Sequence, residues 1–314
     1  MSVLGGFCFI LVSAFCVHRV LRFQQYEVLV LRPRSMFVVT DIVRIVFGVL
    51  LLISSLDERL FAPHLIPDEF QRQVLMLQSL AAILLISGKA VLFACMILGS
   101  LFVYLFVTKG AIVFFEYFNL VGIVAFIVLM RFTASVNQKK HGVDDEEAFN
   151  RFQAAVTLLR MCLGIALITL GFSEKILNPD MAMAFMEKYE SLNFMIYFFE
   201  GFDHRTFILC NGAAEILFGL IYVLGLVPRL NTIALVSFLV ASNVYFYFLN
   251  EYDLAMMELM GHGPLIATAI ILLVAGESKS YKSTLVYLLK AIRPNYDEST
   301  LDTDDMVASF RRPK

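Results

Sequence analysis

Uninterrupted apolar runs of about 20 residues recur along this 314-residue chain, and that is the length an α-helix needs to cross roughly 30 Å of hydrocarbon. A backbone in lipid has to satisfy its own hydrogen bonds, so such runs are helical. Nine are predicted, at about 2–22, 36–56, 71–88, 90–108, 111–131, 152–172, 206–226, 231–249 and 258–276. Charge usage agrees, because 17% Asp, Glu, Lys and Arg falls well short of the roughly 25% that covers a soluble surface. The chain has no Trp, so its twelve Tyr are left to supply the aromatic belt at the membrane interfaces. The fold class is all-α, a polytopic helical membrane protein.

Two of the runs carry an arginine well away from their ends, and an arginine costs about 3 kcal/mol at mid-membrane on insertion scales. The first reads Arg44, Gly48, Glu58, Pro63, and the second, 116 residues later, reads Arg160, Gly164, Glu174, Pro179, with the same spacings of four, ten and five. Gln78 and Gly88 correspond in the same way to Glu215 and Gly225, again ten apart. Two arginines in register predict a duplicated frame built around an intramembrane polar site. The polar segment 132–151 separates two halves of four spans each, a parallel repeat. The expected organisation is an N-terminal anchor with an inner basic loop (1–35), a first four-helix repeat (36–131), the inner loop (132–151), a second repeat (152–276) and an inner tail (277–314).

The first span lacks a basic n-region and carries Arg19 and Arg22 on its far side, so it is read as an uncleaved anchor. With the N-terminus outside, inner segments hold about three times as many Lys and Arg as outer ones, which predicts N-out, C-in topology in a plasma or inner membrane. The outer segment 173–205 is too interrupted to span and predicts an interfacial or re-entrant helix. In the tail, Tyr281, Leu285, Leu288, Leu289 and Ile292 recur at helical spacing against Lys282, Lys290 and Arg293, an amphipathic helix lying on the inner leaflet.

Several functions are excluded. No basic surface suited to nucleic acid is present. Cys8, Cys16, Cys95, Cys162 and Cys210 sit in apolar runs without a CxxC and read as small buried apolar groups, so no metal site is expected. One histidine inside a span is too few for bis-histidine haem, and no catalytic motif occurs, so a non-enzymatic role is favoured. The candidate pocket is therefore built from intramembrane ionisable residues of the second half. These are Arg160, Asn211, Glu215, Glu258 and His262, with Glu174 and Lys175 as an outer rim where long side chains snorkel. A midplane carboxylate needs a cation or a proton, and the spacing suggests an Arg160–Glu215 pair. Arg160, Gly164, Gly171 and Glu174 share one helix face. In the first half Gln78 replaces the carboxylate and only Glu116 and Asn119 are polar in its last span, so that half is expected to be scaffold.

The series Arg160, Gly171, Glu174, Lys175, Pro179, then Glu215, Gly219, Gly225 and Arg229, with Gly261-His262 opening the last span, resembles the DoxX-like family of membrane proteins. The resemblance covers 152–276 well and 36–131 as a diverged copy. It implies a four-helix membrane unit, here doubled, in a family of mixed roles: membrane subunits of a thiosulfate:quinone oxidoreductase, companions of redox or stress proteins, and chaperone-like helpers. Three functions therefore stay open. The first is a non-catalytic membrane subunit or a small-solute or proton pathway, without cofactor. The second is a quinone-linked redox subunit, with quinone as cofactor and a soluble or membrane redox protein as partner. The third is a structural helper whose only partner is the lipid bilayer.

Overall fold

The computed structural model describes residues 33–63, 65–66, 72–139 and 145–275. The expected anchor at 2–22 and the amphipathic helix at 280–293 lie outside the described residues, as do parts of the 132–151 loop. Apolar runs become helices here because no water is available to pair their amides. Ten α-helices form among the described residues: α1 Pro33–Leu56, α2 Arg72–Ser87, α3 Val91–Lys109, α4 Ala111–Glu116, α5 Phe118–Lys139, α6 Asp145–Leu170, α7 Asp180–Lys188, α8 His204–Leu224, α9 Pro228–Phe248 and α10 Tyr252–Ala275. A π-helical turn, Gly171–Leu177, continues α6. Six helices are long and apolar enough to cross a membrane. The protein is thus an integral, multi-pass membrane protein whose surface meets lipid.

Three expectations are corrected. The run 71–88 gives a helix of only 16 residues. The run 111–131 is two helices broken at Tyr117, where Glu116 turns inward to a partner on the π-turn. Cys210 is exposed on α8, whereas Cys95 and Cys162 are buried; a thiol is apolar enough for either place. The segment after α6 forms no spanning helix. It holds the short α7 and two single 3₁₀ turns, Glu190–Leu192 and Phe194–Tyr197.

Each helix start and stop has a local cause. Asp203 caps α8 by accepting a hydrogen bond from Thr206 N–H at 2.7 Å, which holds its carboxyl below the ordinary carboxylate range. Gly225 ends α8 in the left-handed region at φ +72°. Pro228 opens α9 in its first turn, where the missing N–H costs nothing.

Packing is set by small residues. In a bilayer no hydrophobic force drives one helix onto another, so close contact depends on shape. A Cβ on Gly164 would stand 2.7 Å from the Gly219 carbonyl oxygen, and one on Gly171 would stand 2.7 Å from that of Gly212. The two contacts lie one heptad apart along antiparallel α6 and α8, so the backbones touch along the whole face that the sequence periodicity picks out. Gly122 does the same for α5 against Cys162, at 2.7 Å. Gly263 of α10 lies against Leu50 of α1, at 2.9 Å. α10 therefore binds the two halves together, and one core, including Phe47, Leu85, Phe126, Leu159, Tyr222 and Leu272, runs through both.

One end of the bundle is marked by arginines. Arg44 donates through Nη1 to the carbonyls of Leu85 and Ile86, the last turn of α2, beside Gly88. Arg229 donates to the carbonyls of Leu273 and Val274 at 3.0 and 3.4 Å, the last turn of α10. Arg160, 4% exposed, lays its guanidinium against Gly225 at the end of α8. A cation at a helix C-terminus meets unpaired carbonyls and the negative end of the macrodipole. Gly225→Ala should therefore be costly twice, through its positive φ and through collision with Arg160. Melting in detergent should fall further for Gly225→Ala than for Gly88→Ala, whose added Cβ would stay 3.1 Å from Arg44. Equal shifts would remove the arginine from the account.

Candidate functional site

The opposite end of the second half gathers the ionisable residues. Beyond α6 the chain keeps turning but with i→i+5 bonding, closed by Asn178 N–H to Ser173 C=O at 3.1 Å. Gly171 and Gly212 allow this turn to lie against α8. The wider turn carries Lys175 out of α-helical phase and aims it at α8, so that its Nζ stands 3.1 Å from Glu215 Oε1. Both side chains are 17% exposed. Glu174, more open, lies 3.8 Å from the same ammonium.

The expected Arg160–Glu215 pair does not form. Arg160 is engaged at Gly225, ten residues along α8 from Glu215 and so about 15 Å away at 1.5 Å per residue. The cation that Glu215 requires is Lys175, which the sequence placed on an outer rim, snorkelling away. The signal for it was present only as charge balance: Glu215 needed a cation, and Lys175 lay just past the outer end of the sixth run. Asn211 sits half-buried one turn from Glu215 on α8.

α9 and α10 complete the cluster. His262 Nδ1 stands 3.5 Å from Glu258 Oε2 one turn earlier, and 3.2 Å from Asn243 Nδ2 of α9. Asn243 is itself held by donating to Leu239 C=O at 2.8 Å. A neutral ring accepts at Nδ1 from the amide, whereas a protonated ring donates there to the carboxylate. The two contacts thus belong to different protonation states. The π-turn and α8 thus bring Lys175 together with Glu174 and Glu215, and α9 and α10 bring His262 together with Asn243 and Glu258. Glu215 Oε2 and Asn243 Oδ1 are buried with no hydrogen-bond partner among the described residues.

A family model described as DoxX matches residues 155–247, the stretch that supplies Arg160, the paired glycines, the π-turn, Glu215 and Asn243. Residues 155–247 are similar to the DoxX family. No curated protein and no solved structure matches the chain. The matched stretch ends before Glu258 and His262, so the last helix brings the imidazole and a third carboxylate from outside it.

The first half handles the equivalent position differently. Gln78, fully buried, donates to the carbonyls of Leu51 and Arg59 at 3.1 and 3.2 Å and accepts from Phe61 N–H at 2.9 Å. Those bonds close the chain where α1 ends, at the left-handed Glu58 and Phe61. Arg59 pairs at 2.6 Å with exposed Asp57. All three Gln78 bonds are thus made to backbone groups. Among the described residues no group of His, Cys, Asp or Glu is arranged to hold a metal ion. A depression of about 600 Å³ lined by Tyr189, Tyr197, Tyr245 and Glu251 shares no residue with the cluster.

Proposed function

We propose that the DoxX-like region, with α10, holds and passes a proton or small monovalent cation at the Lys175, Glu215, Glu258 and His262 cluster, as a non-catalytic membrane component. One observation carries this reading: two carboxylates share a single ammonium while a third, Glu258, stands beside His262, and Glu215 Oε2 is buried without a hydrogen-bond partner among the described residues. In low dielectric that excess of negative charge is balanced by a bound proton or cation. His262 adds a ring nitrogen set between Glu258, which can only accept, and the Asn243 amide, which donates. A quinone reading has less support, because the cavity beside α10 that touches Gly261 and Pro264 has about 40 Å³, room for a water or two and not for a ring.

On this reading the Lys175 end faces outward and the arginine end inward, with the N-terminus outside, in keeping with the Lys and Arg excess on inner segments. The first half is a diverged copy of the second. Arg44 meets Gly88 and Gly48 meets Ala82 as Arg160 meets Gly225 and Gly164 meets Gly219, with the same spacing of four residues on one helix and six on the other. The test is proton flux into vesicles containing the full chain, followed with an entrapped pH dye under an imposed potential. Flux well above that of empty vesicles, lost in Glu215→Gln, is the expected result. Wild-type flux no higher than that of empty vesicles, or unchanged flux in Glu215→Gln, would overturn it.

A further inference from the structure

The first half does more than frame the site, because one of its side chains is bonded to it. Glu116 ends α4 and is 8% exposed; Ser173, in the middle of the π-turn, is 7% exposed. Ser173 Oγ donates to Glu116 Oε1 at 2.6 Å, the length of a charge-assisted O–H···O⁻ bond. Its carbonyl accepts from both the backbone N–H and the Nδ2 of Asn178, each at 3.1 Å. Ser173 is thus fixed at both polar ends, by the first half through its hydroxyl and by the close of the π-turn through its carbonyl. The next two residues are Glu174 and Lys175.

We propose that Glu116 is a positioning residue for the ion pair: by holding Ser173 it sets the π-turn in the phase that delivers Lys175 to Glu215. The inference rests on the reading of the cluster given above. It makes the break at Tyr117 purposeful, since a continuous helix over 111–131 would carry residue 116 along in α-helical phase rather than ending at it. The group bonded to the Glu116 side chain from a neighbouring element is Ser173 on the π-turn. From α10 only Gly261, Pro264 and Leu265 line the small cavity beside it.

The test follows acylation of Lys175 by a membrane-permeant amine reagent, read by mass spectrometry on the full chain in nanodiscs, with exposed Lys188 as the internal reference. Glu116→Ala and Ser173→Ala should each speed Lys175 labelling about tenfold, the size expected for loss of one hydrogen bond to a charged group. Glu116→Gln keeps an acceptor for the Ser173 hydroxyl and should label close to the wild-type rate. Labelling in Glu116→Ala at the wild-type rate, while Glu215→Gln speeds it, would overturn the role of Glu116 and leave the cluster intact. Glu116→Gln behaving like Glu116→Ala would overturn the hydrogen bond as the cause. If Glu215→Gln itself leaves Lys175 labelling unchanged, the ion pair is not made and both readings fall. A rise at Lys188 as large as at Lys175 reports general loosening and also counts against the inference.

Discussion

Lys175→Met should destabilise the second half by about 3–5 kcal/mol, the cost of removing one partner from a buried ion pair. The loss comes less from the missing attraction than from Glu215, left with a charge beside Gly171 and with no other ion pair recorded among the described residues. Glu215→Leu in the same chain should restore most of the loss, because replacing both partners by apolar groups removes the desolvation cost as well. The measurement is a double-mutant cycle by thermal or denaturant unfolding in detergent. A double variant as unstable as Lys175→Met alone would mean that the lysine acts through packing only. The same cycle separates stability from function, since the restored variant should still fail to pass protons if the carboxylate at 215 is the carrier.

Gly219→Ala should lower stability by about 1–3 kcal/mol, the usual range for forcing extra atoms into a well-packed contact. The added Cβ would lie 2.5 Å from the Gly164 carbonyl oxygen and 3.0 Å from Ile168 N. Both are backbone atoms that no rotamer change moves, so α8 has to stand off from α6. That separation also breaks the Gly171–Gly212 contact seven residues away and with it the seat of the π-turn. Gly99→Ala is the matching control, since nothing lies within 4 Å of its added Cβ; there alanine should be neutral or mildly stabilising through its better helix propensity. Unfolding midpoints of the two variants decide the matter, and equal midpoints would show that the α6–α8 seam is not tight.

The spans were legible because hydropathy and length act on a whole run, and single residues hardly alter them. α1, α3, α8 and α9 fall within three residues of their apolar runs, while α6 and α10 begin seven and six residues earlier than theirs. The helix-facing glycines were legible as well, because a period of 3.6 brings Gly164 and Gly171 to one face. Arg160 was legible as a buried cation, yet its place was not. An arginine can meet a carboxylate or the bare carbonyls of a helix end, and only the left-handed turn at Gly225 brings the second choice within reach. Lys175 was the residue misplaced outright. Its direction depends on i→i+5 bonding from Gly171 to Leu177, and a 3.6-residue period cannot reveal a change in winding. The Ser173–Glu116 bond crosses 57 positions between two runs that each look complete on their own, so no local pattern signals it.

The π-turn leaves the second half with a standing mismatch. An α-helix advances about 100° per residue, and a wider turn behaves as though one residue had been slipped into the winding, often at a functional position. Shortening Gly171–Leu177 by one residue would let α6 run on regularly, with better-formed hydrogen bonds and a simpler entry into α7. It would also swing Lys175 by about 100°, away from α8, and strand Glu215. The irregular winding is therefore what keeps a lysine pointing into a protein rather than into lipid headgroups, and relieving it would give a better helix without a site.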